Sequence, residues 1–148
     1  MNRPRDAAND ARARSAARRY LVQALYQREL GRQPWQELHV QYSSDPAFGR
    51  ADADYFRAAL EAVCDSIAAL DEELRHHSDI APERLDPIER SILRLGLWEL
   101  MARPEVPFRV VIDEAVQLAR RFGATDGYRY VNAVLDRASR AHRVDERG

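Results

Sequence analysis

The amino-acid sequence predicts an all-α fold, a compact helical bundle of about six to seven helices in two packed sub-bundles. Sustained period-2 alternation, which marks strands, does not occur, and the turn dipeptides typical of hairpins are missing. From about Ala11 onward the apolar residues recur at helical spacing instead. Short connections with proline and glycine separate these segments, and 148 residues suffice for one domain with a real core.

Three helices are predicted in the first half of the chain. The first covers about residues 11–30 and ends at Gly31, because glycine is the common C-cap residue. A short second helix begins near Pro34, and residues 43–49 form a loop. A long third helix covers roughly residues 51–76, where apolar side chains keep a helical spacing.

The next predicted helix begins after Asp86, which caps it, with Pro87 at the first helical position. It ends before Pro104, and its apolar side chains point in nearly all directions, which indicates a central, buried helix. Glu99 falls within one of its apolar stripes. A structural hydrogen-bond network is favoured there over a catalytic carboxylate, because no second acid or base has a matching position.

Two more helices follow. One begins near Pro107 and closes at Gly123, and the other is capped by Thr125 or Asp126 and runs to about Ala141. The termini, residues 1–10 and 143–148, lack an apolar stripe and are predicted to be flexible.

Charge is distributed unevenly along the chain. The formal net charge is −1, but six arginines and two aspartates give residues 1–20 a charge of +4, which leaves −5 on the rest. A basic arm on a mildly acidic body indicates a nucleic-acid partner. The single cysteine excludes a disulfide within the chain, and neither a membrane span nor a secretory signal is present, so we expect a cytoplasmic protein.

One face of the first helix combines arginine with an aromatic ring. Arg12, Arg19 and Tyr26 are spaced by seven residues and therefore share a face, which suits phosphate contact and base stacking. Val22, Tyr26 and Leu30 also follow one another at i, i+4, so packing of Tyr26 on another helix is the alternative. The core stripe lies elsewhere on the helix and consists of Ala17, Leu21, Ala24 and Leu25.

Four segments resemble the NusB family of transcription antitermination factors over essentially residues 11–141. They are ARSAARRYLVQALYQREL, LDPIERSILRLGLWEL, RPEVPFRVVIDEAVQLARRFG and TDGYRYVNAVLDR. The last segment is the most specific, although Tyr130 stands where the family usually has Phe, Arg129 where it has Lys, and Gly127-Tyr128 where it has Ser-His.

The resemblance implies an all-α, non-catalytic protein without a cofactor. Such a protein binds the boxA element of ribosomal RNA leader transcripts together with NusE, a ribosomal small-subunit protein, and loads onto RNA polymerase to suppress premature termination. It implies contact with NusE at Tyr26 and Glu89, and it allows a homodimer that would cover the RNA face. The residues that it implies for RNA binding are Arg12, Arg14, Arg18, Arg19, Tyr26, Asp126, Arg129 and Tyr130.

Other classes of function have less support. Glu73 and His76 form one Glu-x-x-His, but a di-metal bundle needs two, so no metal site is predicted and His76-His77 is interpreted as a solvated helix end. A NusB-like domain also occurs fused to ribosomal RNA methyltransferases, but the chain ends at Gly148 without room for a catalytic domain, and we expect the free-standing factor. A plain protein-interaction bundle is the remaining alternative.

Overall fold

Helices dominate the computed structural model, which describes residues 4–147, with side chains from Ala7 onward. No strand occurs in this range, so the predicted all-α class is confirmed, and none of its helices is long and apolar enough to cross a bilayer. Two 3-10 turns, Pro46–Phe48 and Pro82–Arg84, lie in the connections. The described α-helices are α1 (Pro4–Gly31), α2 (Trp35–Ser43), α3 (Ala53–Asp65), α4 (Ile67–Arg75), α5 (Pro87–Ala102), α6 (Phe108–Phe122), α7 (Gly127–His142) and α8 (Val144–Arg147).

Two compact units divide the chain between Cys64 and Asp65, as the prediction of two sub-bundles anticipated. In the first unit the predicted core stripe of α1 is buried throughout. An aromatic cluster completes this core: the ring centroids of Phe48 and Phe56 lie 5.0 Å apart, and Tyr20 lies 5.2 Å from Phe48. Rings at these separations add edge-to-face attraction to the burial of their apolar area.

In the second unit α5 is the central helix and packs against α4, α6 and α7. Residues 91–100 are all buried, Glu99 among them, which confirms the central position predicted for this segment. Asp86 caps the helix as predicted, because its carboxylate accepts hydrogen bonds from the backbone N–H groups of Ile88 and Glu89. Gly96 permits close approach of α7: a Cβ there would lie 2.8 Å from Cδ1 of Leu135.

A buried ion pair joins α5 to α4. Nε and a terminal nitrogen of the Arg94 guanidinium each donate to the Asp71 carboxylate at 2.8 Å, and both side chains are largely shielded from solvent. Two parallel hydrogen bonds of this kind fix the orientation of both groups.

Three helix boundaries differ from the predictions. α1 begins at Pro4 and not near Ala11, because residues 4–10 are helical but lack the apolar stripe that periodicity could detect. The predicted third helix is two helices that break at Ser66, a residue type that favours helix ends over helix interiors. At α7, Asp126 takes the N-cap position, but its φ is 69° and its side chain makes no capping hydrogen bond.

The carboxy-terminal tail also differs from expectation. Residues 144–147 form α8, and Arg143 is buried, where the sequence predicted a loose polar end. Residues 1–3 and 148 lie outside the described residues, as do the side chains of Arg3 and Arg5 from the basic arm.

The left-handed position that ends α1 falls on Arg32 and not on the predicted Gly31. Arg32 has a φ of 56°, and its N–H donates to the carbonyl of Arg28 at 2.7 Å. A side chain with a Cβ is strained in this region, whereas glycine is not. We expect Arg32→Gly to raise the free energy of unfolding by about 0.5 kcal/mol, since relief of strain exceeds the added entropy of the unfolded chain. Urea unfolding measures this, and an equal gain in Gln33→Gly would contradict the explanation.

Candidate nucleic-acid interface

The predicted arginine–tyrosine face of α1 lies at the edge of the core. Arg12 is exposed and donates to Oδ1 of Asn9 at 2.5 Å, while Arg19 and Tyr26 are half-buried. Val22 is fully buried and Leu30 is 66% exposed, so the alternative apolar stripe passes from the core to solvent across Tyr26. Tyr26 is itself half-buried, so part of its side chain remains accessible to a ligand.

Arg14 is held at the junction of α1 and α3. Its guanidinium lies 4.2 Å from the ring centroid of Tyr55 and 3.6 Å from the Asp52 carboxylate, and its side chain is 32% exposed. The N–H of Asp52 also donates to the carbonyl of Ala13 at 2.9 Å, which fixes the start of α3 against α1. Arg14 is thus oriented by its neighbours and is only partly available to phosphate.

Arg18 lies in the interior, with 2% of its surface exposed and its guanidinium 5.6 Å from the Tyr55 ring centroid. The family resemblance implied an RNA-facing arginine here, but this burial argues against direct contact. Arg18 is buried because it lies on the same face of α1 as Leu21 and Val22, which follow it by three and four residues and are both fully buried. Direct RNA contact by Arg18 stays a prediction that the structure does not favour.

The start of α7 carries the second group of predicted RNA-binding residues. Arg129 and Asp126 are both largely exposed, and Nε of Arg129 lies 3.6 Å from the Asp126 carboxylate. Tyr130 is half-buried, and its hydroxyl forms a hydrogen bond with Oγ of Ser78 in the loop after α4. The hydroxyl of Tyr130, which a phenylalanine would lack, therefore holds that loop against α7.

Tyr128, which the sequence analysis did not select, lies between two arginines. Its ring centroid is 4.4 Å from the Arg120 guanidinium of α6 and 5.6 Å from that of Arg129. These side chains line a surface cavity between α6 and α7, together with Asp113 and Asn132. Guanidinium groups stacked on a ring are a common arrangement in surfaces that bind unpaired bases and phosphates. Sequence alone does not pair Arg120 with Tyr128, because they lie on different helices.

Glu89, the predicted partner-binding residue, lies against the start of α7. A Cβ on Gly127 would overlap Oε1 of Glu89, so glycine at 127 makes room for this carboxylate. Glu89 thereby lies beside Gly127, the residue that follows Asp126 in the chain. Burial raises the pKa of Glu89 above its usual range, and the nearby Asp86 carboxylate adds to the rise.

The raised pKa of Glu89 predicts a measurable pH dependence. A carboxyl that binds its proton more tightly in the folded state stabilises the fold below its unfolded pKa, and this contribution is lost as pH rises through the folded pKa. We therefore expect Glu89→Gln to remove part of the fall in unfolding free energy that occurs as pH rises above about 4.3, the ordinary pKa of a glutamate. Urea unfolding across this range measures the effect, with Glu37→Gln on the exposed face of α2 as control. Parallel curves for wild type and Glu89→Gln would disprove it.

Comparison with known proteins gives a consistent result. The NusB family model matches residues 15–140. The transcription antitermination protein NusB of Halorhodospira halophila is 49% identical over 144 residues, which cover 96% of this chain and 92% of that protein. The protein of the same name from Alcanivorax borkumensis is 42% identical over 134 residues, which cover 90% of this chain and 89% of that protein. A solved structure of T. maritima NusB superposes with a TM-score of 0.73 at 26% identity, over 96% of this chain and 94% of that one.

Proposed function

Because this chain belongs to the NusB family, we propose that it is a transcription antitermination factor that binds boxA RNA of ribosomal RNA leader transcripts together with NusE. The bound pair would join the antitermination complex on RNA polymerase in the cytoplasm and help the polymerase resist premature termination. The chain's part in this process is binding and not catalysis.

The face of α1 is the observation that carries this proposal. Arg12 is exposed there, and Arg19 and Tyr26 are partly accessible on the same side of the helix. Arginine supplies salt-dependent attraction to phosphate, while a tyrosine ring offers a stacking surface for an unpaired base. Both are needed for a single-stranded element, whose bases are read when they are splayed onto rings.

The start of α7 supplies a second surface of the same chemistry. Arg129 is 74% exposed, and it adjoins Tyr128 and Arg120 beside the cavity between α6 and α7. We assign phosphate contact to Arg129 and Arg120, and stacking to Tyr128. Tyr130 has a supporting role in this proposal, because its hydroxyl is engaged by Ser78.

Contact with NusE is assigned to Tyr26 and Glu89. Tyr26 lies on the α1 face that we assign to RNA, and Glu89 lies beside Gly127, the residue before Tyr128. A small patch of this kind supplies few base contacts, so a partner that extends the surface along the RNA would raise both affinity and sequence preference.

The test is a binding series on the purified full-length chain, with boxA RNA and a scrambled RNA of equal length, each with and without NusE. We expect boxA to bind more tightly than the scrambled RNA, and NusE to widen that difference. Equal affinities for the two RNAs with NusE present would refute RNA recognition and leave an interaction module of the kind fused to methyltransferases. Recognition of boxA that NusE does not improve would refute only the cooperative part.

A further inference from the structure

Three side chains of the second unit converge at the carboxyl ends of α4 and α7. Glu73 lies in the last turn of α4, His77 follows that helix, and His142 ends α7. Nε2 of His77 lies 3.1 Å from Oε1 of Glu73, and Nε2 of His142 lies 2.6 Å from the same oxygen. His77 is therefore not the solvated helix end that the sequence predicted, because its ring is directed at a carboxylate and is 11% exposed.

The spacing of these atoms suits a small divalent ion. The two nitrogens and the carboxylate oxygen all lie within 4.8 Å of one another. Zinc binds histidine nitrogen and carboxylate oxygen at about 2.0–2.2 Å, which places neighbouring ligand atoms of a tetrahedral site about 3.3 Å apart. The Glu73–His77 separation is already near this value, and the Glu73–His142 separation needs to widen by only a fraction of an ångström.

We propose that Glu73, His77 and His142 form a binding site for a divalent transition-metal ion of the zinc class. Two imidazoles and one carboxylate favour such ions over magnesium or calcium, which prefer all-oxygen sites. All three side chains are partly exposed, so an ion can enter from solvent and a water molecule can complete the coordination. The ion would replace the protons that now bridge nitrogen and oxygen.

Neighbouring contacts orient the proposed ligands. Nε of Arg137, one turn before the end of α7, donates to the backbone carbonyl of His77 at 2.8 Å. Ser78, the next residue, forms a hydrogen bond with the hydroxyl of Tyr130. The segment that carries His77 is thus held along α7 before any ion binds, which limits the reorganisation that binding requires. Bound metal would fix the end of α4 and this segment to the end of α7.

Metal titration of the full-length, untagged chain tests the site. After treatment with a chelator, calorimetric titration with zinc chloride should show one ion bound per chain, and magnesium chloride should give no saturable heat. Cobalt(II) should give the visible absorption typical of a tetrahedral nitrogen–oxygen site. Zinc should also raise the thermal midpoint of unfolding, because it binds the folded chain.

Matched variants decide whether these three residues are the ligands. We expect His77→Ala and His142→Ala each to weaken zinc binding by about tenfold or more. Glu73→Gln, which keeps a hydrogen-bonding side chain, should also weaken it and should leave the far-ultraviolet circular dichroism unchanged. His76→Ala removes the exposed histidine next to the cluster and should change nothing. Zinc binding by wild type no tighter than by the His77→Ala/His142→Ala double variant, or equal loss in His76→Ala, would overturn the assignment.

Discussion

Replacement of Arg143 by alanine is expected to lower the free energy of unfolding by about 2–5 kcal/mol, because buried backbone carbonyls lose a charged hydrogen-bond donor. The guanidinium of Arg143 is buried and donates to backbone carbonyl oxygens at 2.8–3.1 Å. The acceptors are the carbonyls of Leu100, Glu99, Arg103 and Val106. The carbonyls of Glu99 and Arg103 also accept from the backbone N–H groups of Arg103 and Val106. Leu100 has no such donor, because the residue four positions later is Pro104, which lacks an N–H.

The size of this effect follows from what alanine leaves behind. The carbonyls of Leu100 and Val106 would lose the donor that Arg143 supplies, and each unsatisfied buried group costs about 1–3 kcal/mol. Glu146 would lose its partner at 2.6 Å as well, although it also accepts from the N–H of Phe108 and caps the start of α6. For a chain of this length we expect the thermal midpoint to fall by roughly 10 °C.

Two further variants separate this network from a general effect of charge. Arg140→Ala removes an exposed arginine one turn earlier, whose pair with Asp136 is worth less than about 1 kcal/mol. Arg143→Lys keeps the charge but not the planar, multiply donating guanidinium, so an intermediate loss is expected. Urea unfolding of the three variants gives the comparison. Equal stability of Arg143→Ala and Arg140→Ala would show that the network contributes nothing specific.

The hydrogen bond from the N–H of Phe108 to Glu146 makes the stability of the region around Arg143 depend on pH. The N–H of Phe108 and then the Arg143 guanidinium lower the pKa of Glu146 below its usual range. A carboxyl with a depressed folded pKa contributes stability above its unfolded pKa, and the contribution is lost as pH falls through the folded value. Protonation of Glu146 in acid is therefore expected to weaken its contacts with Phe108 and Arg143.

Arg143 also shows where sequence analysis reached its limit. Its acceptors lie 37–44 residues earlier in the chain, so no local pattern reveals them, and a polar tail was the natural interpretation. Asp86 and Pro87, in contrast, define the start of α5 through contacts within one turn, and that boundary was predicted correctly. Local capping chemistry can be read from sequence, whereas a cap supplied by a distant arginine requires the fold.

In the candidate interface, too, features within one helix were predictable from sequence, whereas contacts between helices were not. Helical periodicity separated the buried stripe of α1 from the face that carries Arg12, Arg19 and Tyr26. The resemblance to NusB also assigned Arg18 to RNA binding; this residue is buried, and its direct contact with RNA stays a prediction. The stacking of Arg120 on Tyr128 was not foreseen, because it depends on how α6 packs against α7.

Loss of the α1 face is expected to have the largest effect on RNA binding. In the double variant Arg12→Ala/Arg19→Ala we expect boxA affinity to fall by about tenfold, since each lost charged hydrogen bond to phosphate weakens binding. Each phosphate contact with single-stranded RNA contributes about 0.7 to the slope of log affinity against log salt concentration. The double variant should therefore reduce that slope by about 1.4, as fluorescence anisotropy over a salt series would measure.

The matched control is Arg50→Ala/Arg57→Ala, which removes the same charge from exposed positions of the same unit outside the α1 face. If it lowers affinity and slope equally, net charge and not the α1 face governs binding.

Tyr26 extends the test to stacking, because Tyr26→Phe keeps the ring while Tyr26→Ala removes it. Stacking of a base on an aromatic ring contributes about 1–3 kcal/mol, so only the alanine variant should lose roughly tenfold in affinity. Collapse of the helical circular dichroism in Tyr26→Ala would instead mean that this half-buried ring serves the core.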